Sequence, residues 1–175
     1  MTGRRTAFFL LSLLLLSIPS ASYGQLEKAP DFSLPNLEGE RVNLKDLLGN
    51  GPILIDFWTT WCKPCLKYLP KLQELYQQYE ERGLVVLAIN VDGPRNLSKV
   101  RPFVRSLGIR FPVLLDENLE VLRRFRIFGT PASVLICSEG EVIRVHRGYK
   151  PGDEEILAQE IEKLLVRKEP KSGPE

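Results

Sequence analysis

Two of the chain's three cysteines lie three positions apart in "WTTWCKPC", where Cys62 and Cys65 enclose Lys63 and Pro64. A pair at this spacing can form a small structural disulfide, supply half of a zinc site, or act as a reversible dithiol. Zinc sites commonly need four Cys or His ligands, and the chain otherwise offers one distant cysteine and one histidine. As a structural link, the pair closes a four-residue loop worth only about 2 kcal/mol in the loop-entropy model. The pattern therefore favours a redox role.

The residues around the pair predict a strand followed by a helix. "PILIDFW" is typical of a buried strand, and apolar residues at helical spacing predict a helix from about Lys63 to Arg82, ending near Gly83. Free N–H groups and the positive end of the helix dipole would stabilise a thiolate at Cys62, and Pro64 suits a first turn. This matters because a thiol with a pKa of about 8.5 is only about 3% ionised at pH 7. Lys63 either adds positive charge beside the sulfur or is an ordinary surface lysine.

Asp56 is the acidic residue nearest to the pair in the predicted strand. Alternation places Asp56 on the same face as Leu54 and Trp58, under the start of the predicted helix. Burial without a charge partner would raise the pKa of this carboxyl and let it exchange protons near neutrality. The alternative is a water-exposed aspartate at the strand end. The apolar residues on both faces favour burial.

The rest of the chain predicts an α/β domain. "LVVLAINV" and "FPVLLD" predict strands, residues 97–107 and 119–125 predict helices, and residues 153–166 predict a closing amphipathic helix. "PASVLIC" and "EVIRVHR" flank Ser138-Glu139-Gly140 and predict a hairpin. Short apolar segments between Pro, Asn and Gly in residues 28–51 predict an N-terminal hairpin extension. We therefore expect a central mixed β-sheet flanked by helices, with the cysteine pair at the carboxyl end of a strand.

The first 24 residues have the layout of an export signal, with two arginines, an apolar run over residues 7–18, then Pro19 and small residues. A helix needs about 20 apolar residues to span a bilayer, so we predict cleavage after Gly24, with an uncleaved anchor as the alternative. The protein would then act in the periplasm or an equivalent compartment outside the cytoplasm. Residues 25–167 would form one domain and residues 168–175 a disordered tail.

The net charge of the chain argues against nucleic acid as a partner. The chain has 24 basic and 22 acidic residues, and removing the signal takes away two arginines and no acid. The mature chain then has 22 residues of each sign, so it lacks the basic field that nucleic-acid binding requires.

Several segments together resemble a known family. "DFWTTWCKPC" resembles the active-site segment of the thioredoxin superfamily. "APDFSLPNLEGERVNLKDL", "VLAINVD" and "FPVLLDENLEVLRRFRIFGTPASVLI", with the export signal, look like the exported TlpA/ResA-type thiol-disulfide oxidoreductases over residues 29–165. The resemblance implies a thioredoxin fold that reduces or exchanges disulfides of protein substrates, often in cytochrome c maturation. It implies a membrane thiol-disulfide electron donor as a second partner, and no cofactor.

The resemblance also implies roles for residues of the cysteine segment. Cys62 would be the attacking thiol and Cys65 the resolving thiol, with the dipeptide Lys63-Pro64 tuning the redox potential. Asp56 corresponds to the buried acid that assists the second cysteine in thioredoxins, where many TlpA-type members carry Asn.

A second set of implied roles concerns substrate binding. Pro131, after Thr130, corresponds to the cis-proline that faces the cysteine pair and aligns a substrate backbone. Apart from the resemblance, Trp61 flanks the cysteine pair in the sequence and is predicted to form a substrate-facing rim. ResA-like proteins commonly carry Glu three residues after the second cysteine, whereas this chain has Tyr68, which we expect to pack. This departure argues against a narrow specificity for cytochrome c maturation.

Two other functions stay open at this stage. Peroxiredoxins place Thr three residues before their reactive cysteine, as Thr59 precedes Cys62, which would fit a thiol peroxidase; Ile55, however, stands where those proteins have a proline. A non-enzymatic metal-handling module would have to bind its metal through Cys62 and Cys65 without a second histidine.

The remaining cysteine and the single histidine have simpler predictions. Cys137 ends an apolar strand and is predicted to be a small buried side chain, with a regulatory disulfide as the alternative. His146 is predicted to be exposed.

Overall fold

The computed structural model describes residues 27–168, so the predicted export signal and residues 169–175 of the predicted tail lie outside the described residues. The strands and helices follow one another in the predicted order. The elements are β1 Ser33–Pro35, β2 Arg41–Asn43, β3 Ile53–Trp58, α1 Lys63–Tyr79, β4 Val85–Asn90, α2 Leu97–Ser106, β5 Val113–Leu115, α3 Glu120–Arg124, β6 Ala132–Ile136, β7 Val142–Arg147 and α4 Asp153–Lys168. The helix α4 includes Lys168, which the sequence analysis assigns to the tail. No helix in the described range is long and apolar enough to cross a bilayer.

The central sheet has five strands in the order β5-β4-β3-β6-β7. The strand β3 runs parallel to β4, and β4 runs parallel to β5, whereas β6 pairs antiparallel with both β3 and β7. The sheet is therefore mixed, as predicted. Gly140, with a φ of 82°, lies in the predicted turn between β6 and β7, where a positive φ favours glycine.

Alternation along β3 divides the core into two apolar layers. Leu54 and Trp58 lie in a layer formed with α1, α2 and α4. The next residues along the strand, Ile55 and Phe57, lie in a layer formed with β1 and α3. All six residues of β3 are buried. The predicted division of faces is confirmed, and it places Asp56 on the α1 side of the sheet.

The predicted N-terminal hairpin extension is present as the antiparallel pair β1 and β2, with Leu34 opposite Val42. Leu34, Phe32 and Leu44 pack in the layer opposite α1. The extension and the short α3 therefore cover the second face of the sheet, which leaves the cysteine pair on the first.

Candidate active site

The cysteine pair lies between the end of β3 and the first turn of α1. Cys62 is the N-cap residue, with an extended backbone, and Pro64 is in the first turn. Cys62 and Cys65 form a disulfide with their Cα atoms 5.3 Å apart. The backbone N–H of Cys65 donates to Cys62 Sγ at 3.2 Å. When the disulfide is open, this N–H and the helix dipole favour negative charge on the Cys62 sulfur.

The two cysteines differ in their exposure to solvent. Cys62 keeps 5% of its surface exposed, whereas Cys65 is completely buried. Lys63, beside Cys62, is exposed. An approaching disulfide can therefore reach Cys62 first, which is consistent with the roles that the resemblance implies for the two cysteines.

The loop before Cys62 is anchored by Asp92, which the sequence analysis does not single out. The backbone N–H of Thr60 donates to both carboxylate oxygens of Asp92, at 3.1 and 3.0 Å. Asn90 Nδ2 donates to the same carboxylate at 3.0 Å. Asn90 ends β4, which pairs with β3, and Asp92 follows two residues later, so this polar pair at the end of a buried strand was the available signal.

Asp56 is completely buried on the α1 side of the sheet. Burial raises the pKa of Asp56 to about 8, and a hydrogen bond from Ser133 opposes that rise. Ser133 Oγ lies 2.9 Å from Asp56 Oδ1, whereas Asp56 Oδ2 has no hydrogen-bond partner among the described residues. The expected burial and raised pKa are therefore confirmed, and the carboxyl can change protonation near neutral pH.

Tyr68 packs, as expected, and it also joins the polar group around Asp56. Its side chain is 3% exposed and stacks on Tyr149 with ring centroids 4.6 Å apart. Its hydroxyl lies 3.2 Å from Ser133 Oγ. Burial, and next the nearby Asp56, raise the pKa of Tyr68, which keeps its hydroxyl protonated. Ser133 could not be singled out from the sequence, because its position opposite Asp56 depends on the register of β3 and β6.

A groove of about 480 Å³ lies beside the cysteine pair. Pro64, Thr130 and Pro131 line it, together with Arg147 and Lys150. The Thr130–Pro131 peptide bond is cis, as the resemblance implies.

Two large apolar side chains near the predicted site face solvent. Trp61 is 69% exposed, and Phe128, three residues before Pro131, is 94% exposed. Trp61 was predicted to form a rim, and its exposure is compatible with that role. Phe128 was not singled out, since its exposure depends on how the loop before β6 folds.

The remaining cysteine and histidine lie on the hairpin strands or their ends. Cys137 is a free, buried cysteine with 8% exposure, as predicted. The prediction that His146 is exposed was wrong: its side chain is 22% exposed, and Nε2 lies 2.9 Å from Glu160 Oε2 on α4. The reason is tertiary packing, since α4 lies beside β7. Among residues 27–168 no group of three or more His, Cys, Asp or Glu could hold a metal ion.

A mixed five-stranded sheet that carries a C-x-x-C disulfide at the start of a long helix defines the thioredoxin-fold class. The chain belongs to the AhpC/TSA family, whose model matches residues 26–145.

Curated relatives and solved structures narrow the class further. The chain is 35% identical over 139 residues to the thiol-disulfide oxidoreductase ResA of Halalkalibacterium halodurans, covering 79% of this chain and 76% of the relative. It is 35% identical over 136 residues to ResA of Geobacillus thermodenitrificans, covering 78% and 75%. A Chlorobium tepidum structure assigned to the thiol:disulfide interchange protein DsbE has 33% identity and a TM-score of 0.75, covering 81% of this chain and 98% of that one. The protein is accordingly a thiol-disulfide oxidoreductase.

Proposed function

We propose that this protein is exported and uses Cys62 and Cys65 to reduce or exchange disulfides in other proteins outside the cytoplasm. The observation that carries the proposal is the Cys62–Cys65 disulfide at the start of α1, on the same side of the sheet as the buried Asp56. The layout of the first 24 residues and the similarity to ResA and DsbE support export.

The first step is attack by the Cys62 thiolate on a disulfide of the partner protein. A bond forms between Cys62 Sγ and one partner sulfur, the partner disulfide breaks, and its second sulfur leaves as a thiolate. The N–H of Cys65 and the start of α1 stabilise the attacking negative charge. Lys63 and Pro64 set how strongly the reduced form is stabilised, and so tune the redox potential.

The second step releases the partner. Cys65 gives its proton to Asp56 and attacks Cys62 Sγ, so the Cys62–Cys65 bond forms and the bond to the partner breaks. The partner's first sulfur leaves as a thiolate, and two electrons have passed from the dithiol to the partner. Because the pKa of Asp56 is about 8, about one tenth of the carboxyls are ionised and able to accept this proton at pH 7.

The groove beside the pair is proposed to hold an extended segment of the partner. Thr130 and Pro131 would align its backbone next to Cys62, and Trp61 would cover apolar side chains. The basic residues Arg147 and Lys150 line the same groove with one acidic residue, Asp153, so its lining has an excess of one positive charge and would favour acidic residues near the partner's disulfide.

The oxidised protein must regain two electrons after each reaction, and we propose a membrane thiol-disulfide transporter as the donor. The resemblance to TlpA/ResA-type proteins makes cytochrome c maturation the leading pathway. We do not restrict the substrate to cytochrome c precursors, because Tyr68 stands where ResA-like proteins commonly carry Glu. Whether the protein reduces or oxidises its partners depends on its reduction potential. The potentials of C-x-x-C proteins span about 150 mV, or about 7 kcal/mol for two electrons.

Activity assays with the protein, purified as its host processes it, separate this function from the two others. We expect it to accelerate insulin reduction by dithiothreitol, and Cys62→Ser to lower the rate to that of dithiothreitol alone. Fast consumption of hydrogen peroxide with little insulin reduction would contradict the proposal and indicate a thiol peroxidase. Stoichiometric binding of copper or zinc without disulfide exchange would instead indicate a metal-handling module.

A further inference from the structure

The polar group under α1 contains more than the acid that the proposed mechanism uses. Ser133 on β6 pairs directly opposite Asp56 on β3, so both side chains lie on the same face of the sheet. Ser133 Oγ is 2.9 Å from Asp56 Oδ1 and 3.2 Å from the Tyr68 hydroxyl. All three side chains are at most 3% exposed. They form a continuous hydrogen-bonded line from α1 to β3.

The number of protons fixes the direction of these hydrogen bonds. An ionised Asp56 can only accept, so the single Ser133 hydroxyl proton is donated to Asp56 Oδ1. The proton between Ser133 and Tyr68 must then come from Tyr68, whose raised pKa keeps it protonated. While Asp56 is ionised, Tyr68 therefore donates to Ser133, which donates to Asp56.

The two carboxyl oxygens of Asp56 are consequently unequal. Oδ1 is held by Ser133, whereas Oδ2 is buried and has no partner within residues 27–168. A proton that binds to Oδ2 leaves the line from Tyr68 to Oδ1 intact, so no side chain needs to turn. A buried polar atom without a partner is costly, which is a reason to expect Oδ2 to act in the reaction.

We propose that Ser133 and Tyr68 are positioning residues, which hold Oδ1 of Asp56 and leave Oδ2 as the atom that takes the proton of Cys65. This inference rests on the proposed function, because it needs Asp56 to act as the proton acceptor. The step is a proton transfer: the S–H bond of Cys65 breaks, an O–H bond forms at Oδ2, and the sulfur keeps the electron pair with which it attacks Cys62. Tyr68, three positions after Cys65, thus acts on Asp56 through Ser133.

The polar and titratable groups around Asp56 and its hydrogen-bonded neighbours come from four other elements, α1, β6, β7 and α4. Helix α1 and its N-cap contribute Tyr68 and the cysteine pair, which lie in the same buried layer as the α1-facing side chains of β3. The strand β6 contributes Ser133. On β7, His146 lies opposite Ser133, but its ring nitrogen is bonded to Glu160 of α4. The acids at the start of α4, Asp153 and Glu154, act on Tyr68. Burial and Ser133 are the causes of the Asp56 pKa shift, so Ser133 is the neighbour whose removal should move it.

The test follows the titration of Asp56 by carboxyl carbon NMR in the oxidised protein, purified as its host processes it. The resonance is identified by its loss in Asp56→Asn. Ser133→Ala removes the donor to Oδ1, and the midpoint should rise by about one pH unit or more, because a hydrogen bond to a charged group is lost. Tyr68→Phe should shift it in the same direction by less. Ser133→Thr restores a hydroxyl and should return the midpoint towards the wild-type value.

Tyr76→Phe is the matched control, since it removes a tyrosine hydroxyl from the same helix about 12 Å further along the axis. The titration midpoint of Asp56 in this variant should equal that in the wild type. The pH profile of insulin reduction should move with the Asp56 midpoint in Ser133→Ala and Tyr68→Phe.

Each result bears on one of the two proposals. If Ser133→Ala and Tyr68→Phe titrate at the wild-type pH or below it, the positioning role is wrong, even though the wild type exchanges disulfides. If the Asp56 midpoint shifts but the pH profile of insulin reduction does not, Asp56 takes no part in the reaction and the inference is overturned. A wild-type protein that exchanges no disulfide would instead overturn the proposed function.

Discussion

Replacing the resolving cysteine should convert the protein from an exchanger into a trap. In Cys65→Ser the first step still occurs, because Cys62 and the start of α1 are unchanged. The second step is lost, because a serine hydroxyl cannot displace the partner sulfur. We expect covalent partners to accumulate on Cys62 in the native host, and insulin reduction to fall close to the uncatalysed rate. Gel mobility before and after a reducing agent, followed by mass spectrometry, detects and identifies the partners.

Two matched variants show which sulfur holds the partners. Cys62→Ser combined with Cys65→Ser should trap nothing, whereas Cys137→Ser combined with Cys65→Ser should trap as Cys65→Ser does. Cys137 is a free cysteine near the end of β6, so it controls for unspecific thiol oxidation. Adducts that require Cys137, or no adducts from Cys65→Ser, would contradict the assigned order of attack. The identity of the partners decides between a pathway of cytochrome c maturation and a wider set of substrates.

The second large effect is on stability, and its sign depends on pH. The pKa of Asp56 is about 8 in the folded protein, against an ordinary value of 3.8. Between these values the folded protein keeps a proton that the unfolded chain has lost. The resulting stabilisation is complete below about pH 4 and is lost as the pH rises through 8. At alkaline pH the fold must therefore hold a buried, ionised carboxylate.

Asp56→Asn removes the buried negative charge while nearly keeping the shape of the side chain. We expect the oxidised variant to exceed the wild type in free energy of unfolding by a few kcal/mol at pH 9, with about 6 kcal/mol as the upper limit set by the pKa shift. At pH 4 the two should differ little. Urea denaturation at both pH values measures the difference. Asp31→Asn, at an exposed carboxyl, is the control and should show no such dependence. Equal stability of Asp56→Asn and wild type at pH 9 would contradict the raised pKa.

The sequence was sufficient to predict the central architecture, because the signals there are local. The apolar run of β3 and the helical spacing of α1 are continuous in the chain, and they place Cys62 at a helix start. Period-two alternation correctly separated Asp56 from the opposite face of β3. The apolar residues that flank Asp56 in the sequence also predicted the direction of its pKa shift.

Contacts between distant segments could not be read in the same way. Ser133 reaches Asp56 only because β6 pairs with β3 in one particular register, which the sequence does not specify. The bond from Thr60 to Asp92 joins residues 32 positions apart. His146 was predicted to be exposed because nothing local shows that Glu160 of α4 would lie beside it. The polar contacts that organise the site are thus the part that required the structure.

The most direct test of the central claim measures the redox equilibrium of Cys62 and Cys65 in glutathione buffers. A redox-active pair should open and close reversibly, with a midpoint between about −270 and −120 mV, the range of thioredoxin-fold exchangers. The midpoint should be the same from the reduced and from the oxidised side. A disulfide with a midpoint below about −300 mV, as structural disulfides typically have, would contradict the account.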